Sequence, residues 1–489
     1  MNESELKQTV NEKEPYGHSK FVMASYGGRE LFGQWIAAAF GFTVFFFYEA
    51  VIGLNVILAA IAFVLYSVWN AINDPLLGWF FEKIHTPWEK KWNLKRFPWL
   101  VIGAVPWLLS YFLIFLVPSQ WDPASNPNDN LPVFLWFLVT ICIYDTCNTM
   151  FDVNVLSLYP EKFRGLDERR TVQGFGTILG IIGLVLAAVI PPMFITTGVR
   201  ETYQTAALVT TTFGIIIFLF AIPGVWEDKF TRERYKHRRE MESKLEVESF
   251  FQMSKKAISN RNFLAKVVLF YGYQVGAVML QYSAFYIVTY LLDMEAGAIT
   301  YLLGAMLVGA LFSVPLWLYI SKKMNNNKKL SVMGAIGMLI AFVPMIFVST
   351  LIGWIIVMLI FGLGLGGQWF SDPPTLGDII DDVTAKTGKR QQGIYYGFQA
   401  FFIRLGYSTI AVTLAVVHTL TGFVEGAPSL GELRAQSPTP DLALFGIRIH
   451  TAIVPAILVL ITVLIFWKYY KLTPDRVAAN KAKIKELGI

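Results

Sequence analysis

Asp74 stands beside Asn70 and Asn73 in the run WNAINDPLLGW (residues 69–79), inside an apolar stretch that extends from Val56 to Phe80. A charged group in hydrocarbon costs at least about 2.5 kcal/mol on insertion scales, so an aspartate there faces a protein interior, pairs, or holds a cation. On one helix Asn70 and Asp74 lie four residues apart and Asn73 is adjacent, so three oxygen donors can face one cavity and act as cation ligands. The structural alternative is an aspartate held in a helix–helix hydrogen bond. Pro75 removes a backbone donor and is expected to kink the helix, freeing a carbonyl as a further ligand.

Other polar residues in apolar runs extend the set. Asp145 and Asp152 lie seven residues apart with Thr149 between them, so one helical face is expected to look into a wet cavity. Asp152 and Thr149 are expected at the depth of Asp74, so that Asp74 and Asp152 share one cation. Two close carboxylates repel, and Na⁺ or H⁺ relieves that. Arg404, about 18 Å into its run at helical rise, needs a carboxylate partner or an anionic ligand. It is read as a side chain held by carboxylates when no cation is bound. Gln34 is a candidate substrate contact, with helix–helix hydrogen bonding as the plainer reading.

The elements that position these residues are twelve apolar runs of about twenty residues or more, the length that crosses a bilayer as a helix. They fall near 31–52, 56–80, 98–117, 132–158, 171–195, 205–226, 263–291, 299–320, 330–350, 353–376, 392–421 and 448–468, the break at 351–352 being the weakest. A chain that is 55% hydrophobic and only 16% charged cannot hide so much apolar surface in a water-soluble core. Of the 41 Lys and Arg residues, 36 fall in alternate connecting segments, Arg29 among them in the amino-terminal one. The asymmetry orients the chain with both termini cytoplasmic and explains the net charge of +6 without a nucleic-acid partner. No signal peptide is evident. Cys142 and Cys147 point to different faces and offer no disulfide framework.

The expected division is a cytoplasmic segment 1–30, a six-helix bundle 31–226, a charged cytoplasmic linker 227–262, a second bundle 263–468 and a tail 469–489. Asn73-Asp74-Pro75 has a faint echo in Ser371-Asp372-Pro373 of the second half. Gly176, Gly180 and Gly183 read as a packing stripe. Gly362, Gly364, Gly366 and Gly367, ahead of Pro373 and Pro374, read as a possible hinge. The chain contains no metal-ligand cluster, nucleophile–base pair or phosphate-binding loop that would point to an enzyme, and its five histidines are scattered among loops and helix ends.

The runs WNAINDPLLGW, FDVNVLSLYPEKF with DERR after it, and GDIIDDVTAKTGKRQQG leading into FFIRLG resemble the glycoside-pentoside-hexuronide:cation symporter family, the melibiose permease-like group, over residues 25–470. The resemblance implies the major facilitator fold, with a site near the midplane between two six-helix halves. It places cation ligands on Asn70, Asn73, Asp74, Thr149 and Asp152, and puts Arg404 where the family has a lysine. It also marks departures: Asn70 replaces an aspartate, Gln34 lies near a missing first-helix aspartate, the fifth-helix arginine is absent around Phe175, and Leu156 replaces a tryptophan. Asp145 is a candidate to replace the lost charge. Lysophospholipid symporters share the second-helix pattern and the missing first-helix aspartate. The expectation is therefore an all-α membrane protein, a monomer without cofactor, that moves a sugar, glycoside or similar solute with Na⁺ or H⁺. A lysolipid carrier and a transport-inactive sensor are the alternatives. Substrate contacts are expected at Gln34, Asp145, Asp152 and Arg404, and Na⁺, if used, at Asp74 and Asp152.

Overall fold

A computed structural model of the chain describes residues 17–84, 86–163, 165–233, 259–388 and 392–486. Most of the expected amino-terminal segment and linker, with His85 and His237, lies outside the described residues. Among the described residues twelve helices are long and apolar enough to cross a membrane: α1 Lys20–Val51, α2 Val56–Phe81, α3 Phe97–Phe115, α4 Pro127–Lys162, α5 Asp167–Phe194, α6 Arg200–Val225, α7 Arg261–Leu291, α8 Ala296–Met324, α9 Asn327–Met345, α10 Leu351–Thr387, α11 Phe401–Thr421 and α12 Pro440–Tyr469. The helix carrying α11 begins at Gln392. A spanning segment must satisfy its backbone internally, which is why every run became a helix. Side chains close several of the starts: Ser19 Oγ accepts from Val22 N, Asn55 Oδ1 from Ile57 N and Leu58 N, and Thr350 Oγ1 from Gly353 N.

Packing falls into two groups. In the first, α1 lies against α5 and α6, α3 against α4 and α6, and α2 against α4; in the second, α10 lies against α8 and α9, and α7 against α12. Between the groups α2 meets α11, α1 meets α7 and α5 meets α8. Three helices contain a π-helical turn, Phe47–Val51 closing α1, Ile287–Leu291 closing α7 and Ile449–Ile453 within α12. Positions 1 and 7 correspond when six helices are laid on six, so the matching turns repeat between the groups.

Three expectations are corrected. Helix α1 starts at Lys20 rather than near 31, which moves Arg29 from a connecting segment into the span. It is partly buried there, its charge met by Glu30. The helix through Asp74 runs unbroken from Val56 to Lys83, past Pro75, whose missing N–H still leaves the Ala71 carbonyl without its helical donor. The α10 glycines are contact points rather than a hinge: a Cβ on Gly362 would collide with the Met306 carbonyl of α8, and one on Gly364 with the α9 backbone at Met338. Helix α10 continues through Pro373 and Pro374 to Thr387. The break before it falls at 346–350.

Candidate transport site

Helices α2 and α4 cross where their polar residues meet. Thr149 Oγ1 donates to Asp74 Oδ1 at 2.7 Å, and the other Asp74 oxygen takes the Arg404 guanidinium, which arrives on α11 from the second group. Asn70 and Asn73 hydrogen-bond Asp145 rather than Asp74. Their amide nitrogens donate to the two oxygens of Asp145, the Asn73 bond being 3.4 Å, and Asp145 is completely buried. This leaves Asn70 Oδ1 buried without a hydrogen-bond partner. An unpaired buried acceptor is costly, and on a helix it sits one turn from Asp74. The Asp74 carboxylate, the Thr149 hydroxyl and this amide oxygen are hard-oxygen donors of the kind that suits a monovalent cation.

Asp152 does not join Asp74 as expected. Although Thr149 is one turn away on α4, Asp152 lines a cavity of about 300 Å³ in which Arg29 and Glu30 of α1 are its charged neighbours. Gln34, Asn70, Asn148 and Arg404 line the same cavity, so it extends from α1 to α11. Much of its remaining wall is aromatic, from Phe40, Tyr66, Trp107, Tyr144 and Tyr407, with Phe40 and Tyr144 stacked at a centroid distance of 4.7 Å. That volume lies at the small end of small-molecule sites, and rings beside hydrogen-bonding groups suit a compact solute with apolar faces and polar edges. Arg29 and Glu30 are the site residues that the sequence reading missed, because they border a polar flank and so did not stand out within an apolar run.

The groups are sealed together at the end where α1 finishes and α2 begins. Glu49 is completely buried there: Oε1 faces His418 Nδ1 of α11 at 2.6 Å, and Oε2 accepts from the Tyr286 hydroxyl of α7. The His418 ring lies 5.0 Å from that of His450, whose Nδ1 bonds Ser283 Oγ at 2.9 Å. The loop after α11 completes the seal, with Glu425 Oε1 accepting from Val56 N at 3.1 Å and Gly426 N donating to Glu49 O at 2.9 Å. The cavity lies on the other side of this barrier. Two of the histidines that appeared scattered are thus neighbours, and Glu49 and His418, 369 residues apart, could not be joined from spacing. The echo residue Asp372 is paired within its own group, with Lys266 Nζ at 2.8 Å and Gln399 Nε2 at 2.9 Å. Among the described residues no group of three or more His, Cys, Asp or Glu side chains is placed to hold a metal ion.

The family model described as MFS/sugar transport protein matches residues 29–474. The chain is 25% identical to the sodium-dependent lysophosphatidylcholine symporter 1 of Gallus gallus, covering 93% of this chain and 87% of that one. It is 23% identical to the isoprimeverose transporter of Lactiplantibacillus pentosus, over 78% of this chain and 76% of that one. Among solved structures it resembles the inward-open xylose transporter XylE from E. coli, with TM-score 0.57 and 12% identity over 94% of this chain and 98% of that one. It also resembles a bacterial homologue of the iron transporter ferroportin in its inward-facing state, with TM-score 0.59 and 10% identity over 94% of this chain and all of that one.

Proposed function

The chain belongs to the MFS/sugar transport protein family, and from that premise we propose that this multi-pass membrane protein is a Na⁺-coupled symporter for a small, sugar-like solute. The carrying observation is that one carboxylate, Asp74, is shared by a hydroxyl of its own group and a guanidinium of the other. Arg404 fills the cation's place when the site is empty. A cation entering between Asp74, Thr149 and Asn70 Oδ1 displaces it, and the freed guanidinium, already at the cavity wall, turns to the solute held by α1 and α4. Binding both partners thereby removes an inter-group ion pair and rewards closure around the solute. Sodium rather than a proton is supported by the neutral oxygens of the set and by the sodium-dependent relatives.

With the end where α1 begins taken as cytoplasmic, from the Lys and Arg distribution, the seal at Glu49 closes the outside and the cavity faces inward. Helices α1–α6 and α7–α12 then act as the two moving halves. A lysolipid is the second reading, favoured by the extent of the match to the lysophosphatidylcholine symporters.

The test is uptake by the full-length protein in proteoliposomes under separate Na⁺ and H⁺ gradients, offering glycosides and lysophosphatidylcholine. Asp74→Asn is expected to lower Na⁺-driven uptake about thirtyfold or more, since a charged ligand contributes roughly 2–3 kcal/mol. Undiminished gradient-driven uptake by a folded Asp74→Asn protein would remove Asp74 from the coupling site.

A further inference from the structure

The α1 end of the cavity is built around a charge pair. Arg29 lies over the Tyr26 ring, its guanidinium carbon 5.2 Å from the centroid, and Nη2 reaches Glu30 Oε1 at 2.7 Å. Two glycines of α5 make the room. A Cβ on Gly176 would stand 3.3 Å from Glu30 Cγ, and one on Gly180 would stand 3.3 Å from Glu30 Cβ and 3.6 Å from Gln34 Cγ. Asp152 faces this pair from α4. The subsite therefore offers donors, Arg29 and Gln34, and acceptors, Glu30 and Asp152, a mixture suited to hydroxyls or to a head group bearing both signs of charge.

Its charge balance is more selective than its hydrogen bonds. Two carboxylates, Glu30 and Asp152, and two guanidiniums, Arg29 and Arg404, line the cavity, and two more carboxylates stand behind its wall, Asp74 against Arg404 and Asp145 against Asn70. With every group ionised the balance is −2, and one Na⁺ leaves −1. A solute bringing a further negative charge meets net repulsion in a site partly screened from water, whereas an uncharged or zwitterionic solute does not.

We infer that Arg29 and Glu30 form a solute-recognition subsite in which Glu30 sets charge selectivity, admitting uncharged polyols or zwitterionic head groups and rejecting anionic ones. This rests on the symport reading, but holds for a glycoside and a lysolipid alike.

The experiment uses the full chain in proteoliposomes under a Na⁺ gradient and two matched pairs: a methyl hexoside against the corresponding hexuronate, and lysophosphatidylcholine against the lysophosphatidate of the same acyl chain. Within the transported pair, the wild type is expected to take up the non-anionic member about tenfold faster or more. Glu30→Gln, which removes one negative charge at nearly constant size, narrows that ratio several-fold. Arg29→Gln, which removes a positive charge, widens it, and Glu30→Asp, which keeps the charge, retains the wild-type ratio. Opposite movement separates a recognition role from a structural one, because mere loosening of α1 would shift both variants the same way. Equal wild-type uptake of the anionic member, or ratios that move together in the two variants, overturns the inference while leaving symport standing. Uptake of neither pair under either a Na⁺ or an H⁺ gradient overturns the symport reading, and the subsite with it.

Discussion

Asp74 and Arg404 depend on each other. A carboxylate and a guanidinium within a membrane-spanning bundle are tolerable as a pair, and removing one leaves the other without its counter-charge. Under the proposed mechanism Arg404 competes for the Na⁺ position, and its pairing with Asp74 links α11 to α2. Arg404→Ala is expected to tighten Na⁺ binding about tenfold, measured by titration calorimetry on the purified protein, while solute accumulation collapses. Unaltered accumulation would reduce the residue to a structural strut. The sequence disclosed this part of the site because a lone polar side chain in an apolar run is conspicuous, as Asp74, Asp145, Thr149 and Arg404 were. It did not disclose how the partners divide. Asn70 and Asn73 serve Asp145 rather than Asp74, because their amide nitrogens, not their oxygens, meet the α4 carboxylate. Glu49 was passed over because it sits at a helix end, where a charge ordinarily finds water.

At the level of elements, apolar length counted the helices correctly but misjudged their ends wherever charges neutralise one another inside the fold, as Arg29 and Glu30 do. Outside the membrane another such tie joins three elements. His18, just before α1, bonds Asp228 after α6 through Nε2 at 2.7 Å and Glu168 at the start of α5 through Nδ1 at 2.7 Å. Asp228, then Glu168, hold the imidazole above its ordinary pKa against the opposing effects of burial and of Lys162. Although burial alone would raise it, Asp228 is held well below the usual carboxylate range by His18 and Thr231. A raised histidine pKa gives stability that is fully present below about pH 6.5, the unfolded value, and is lost as pH rises through the folded value. Thermal unfolding of the wild type is therefore expected to lose about 1–2 kcal/mol between mildly acidic and alkaline pH. His18→Gln should flatten that dependence; identical slopes in the two proteins would show that the tie carries none of it.

For the whole molecule, the decisive feature is the barrier at Glu49. Its members come from α1, α7, α11, α12 and the loop after α11, and three of the contributing helices carry their π-helical turn there, a distortion often found at functional sites. Opening on that side requires a buried carboxylate to leave a histidine and a tyrosine together. Glu49→Gln weakens this closure by about 2–3 kcal/mol, enough to raise the open population roughly thirtyfold or more. A cysteine in place of buried Ser283, with Cys142 and Cys147 replaced by serine, should then react correspondingly faster with a membrane-impermeant maleimide. Equal labelling rates with and without Glu49→Gln would mean that the barrier is held elsewhere. Glu425 adds a mechanical consequence, since it grips the first residues of α2 from the opposite half. The rod it holds is unbroken past Pro75, and Asp74 rides about 27 Å from the grip. A swing of about 10° about that pivot carries the carboxylate about 5 Å, farther than the reach of a cation contact, so a slight rocking at one membrane face is magnified into capture or release near the other.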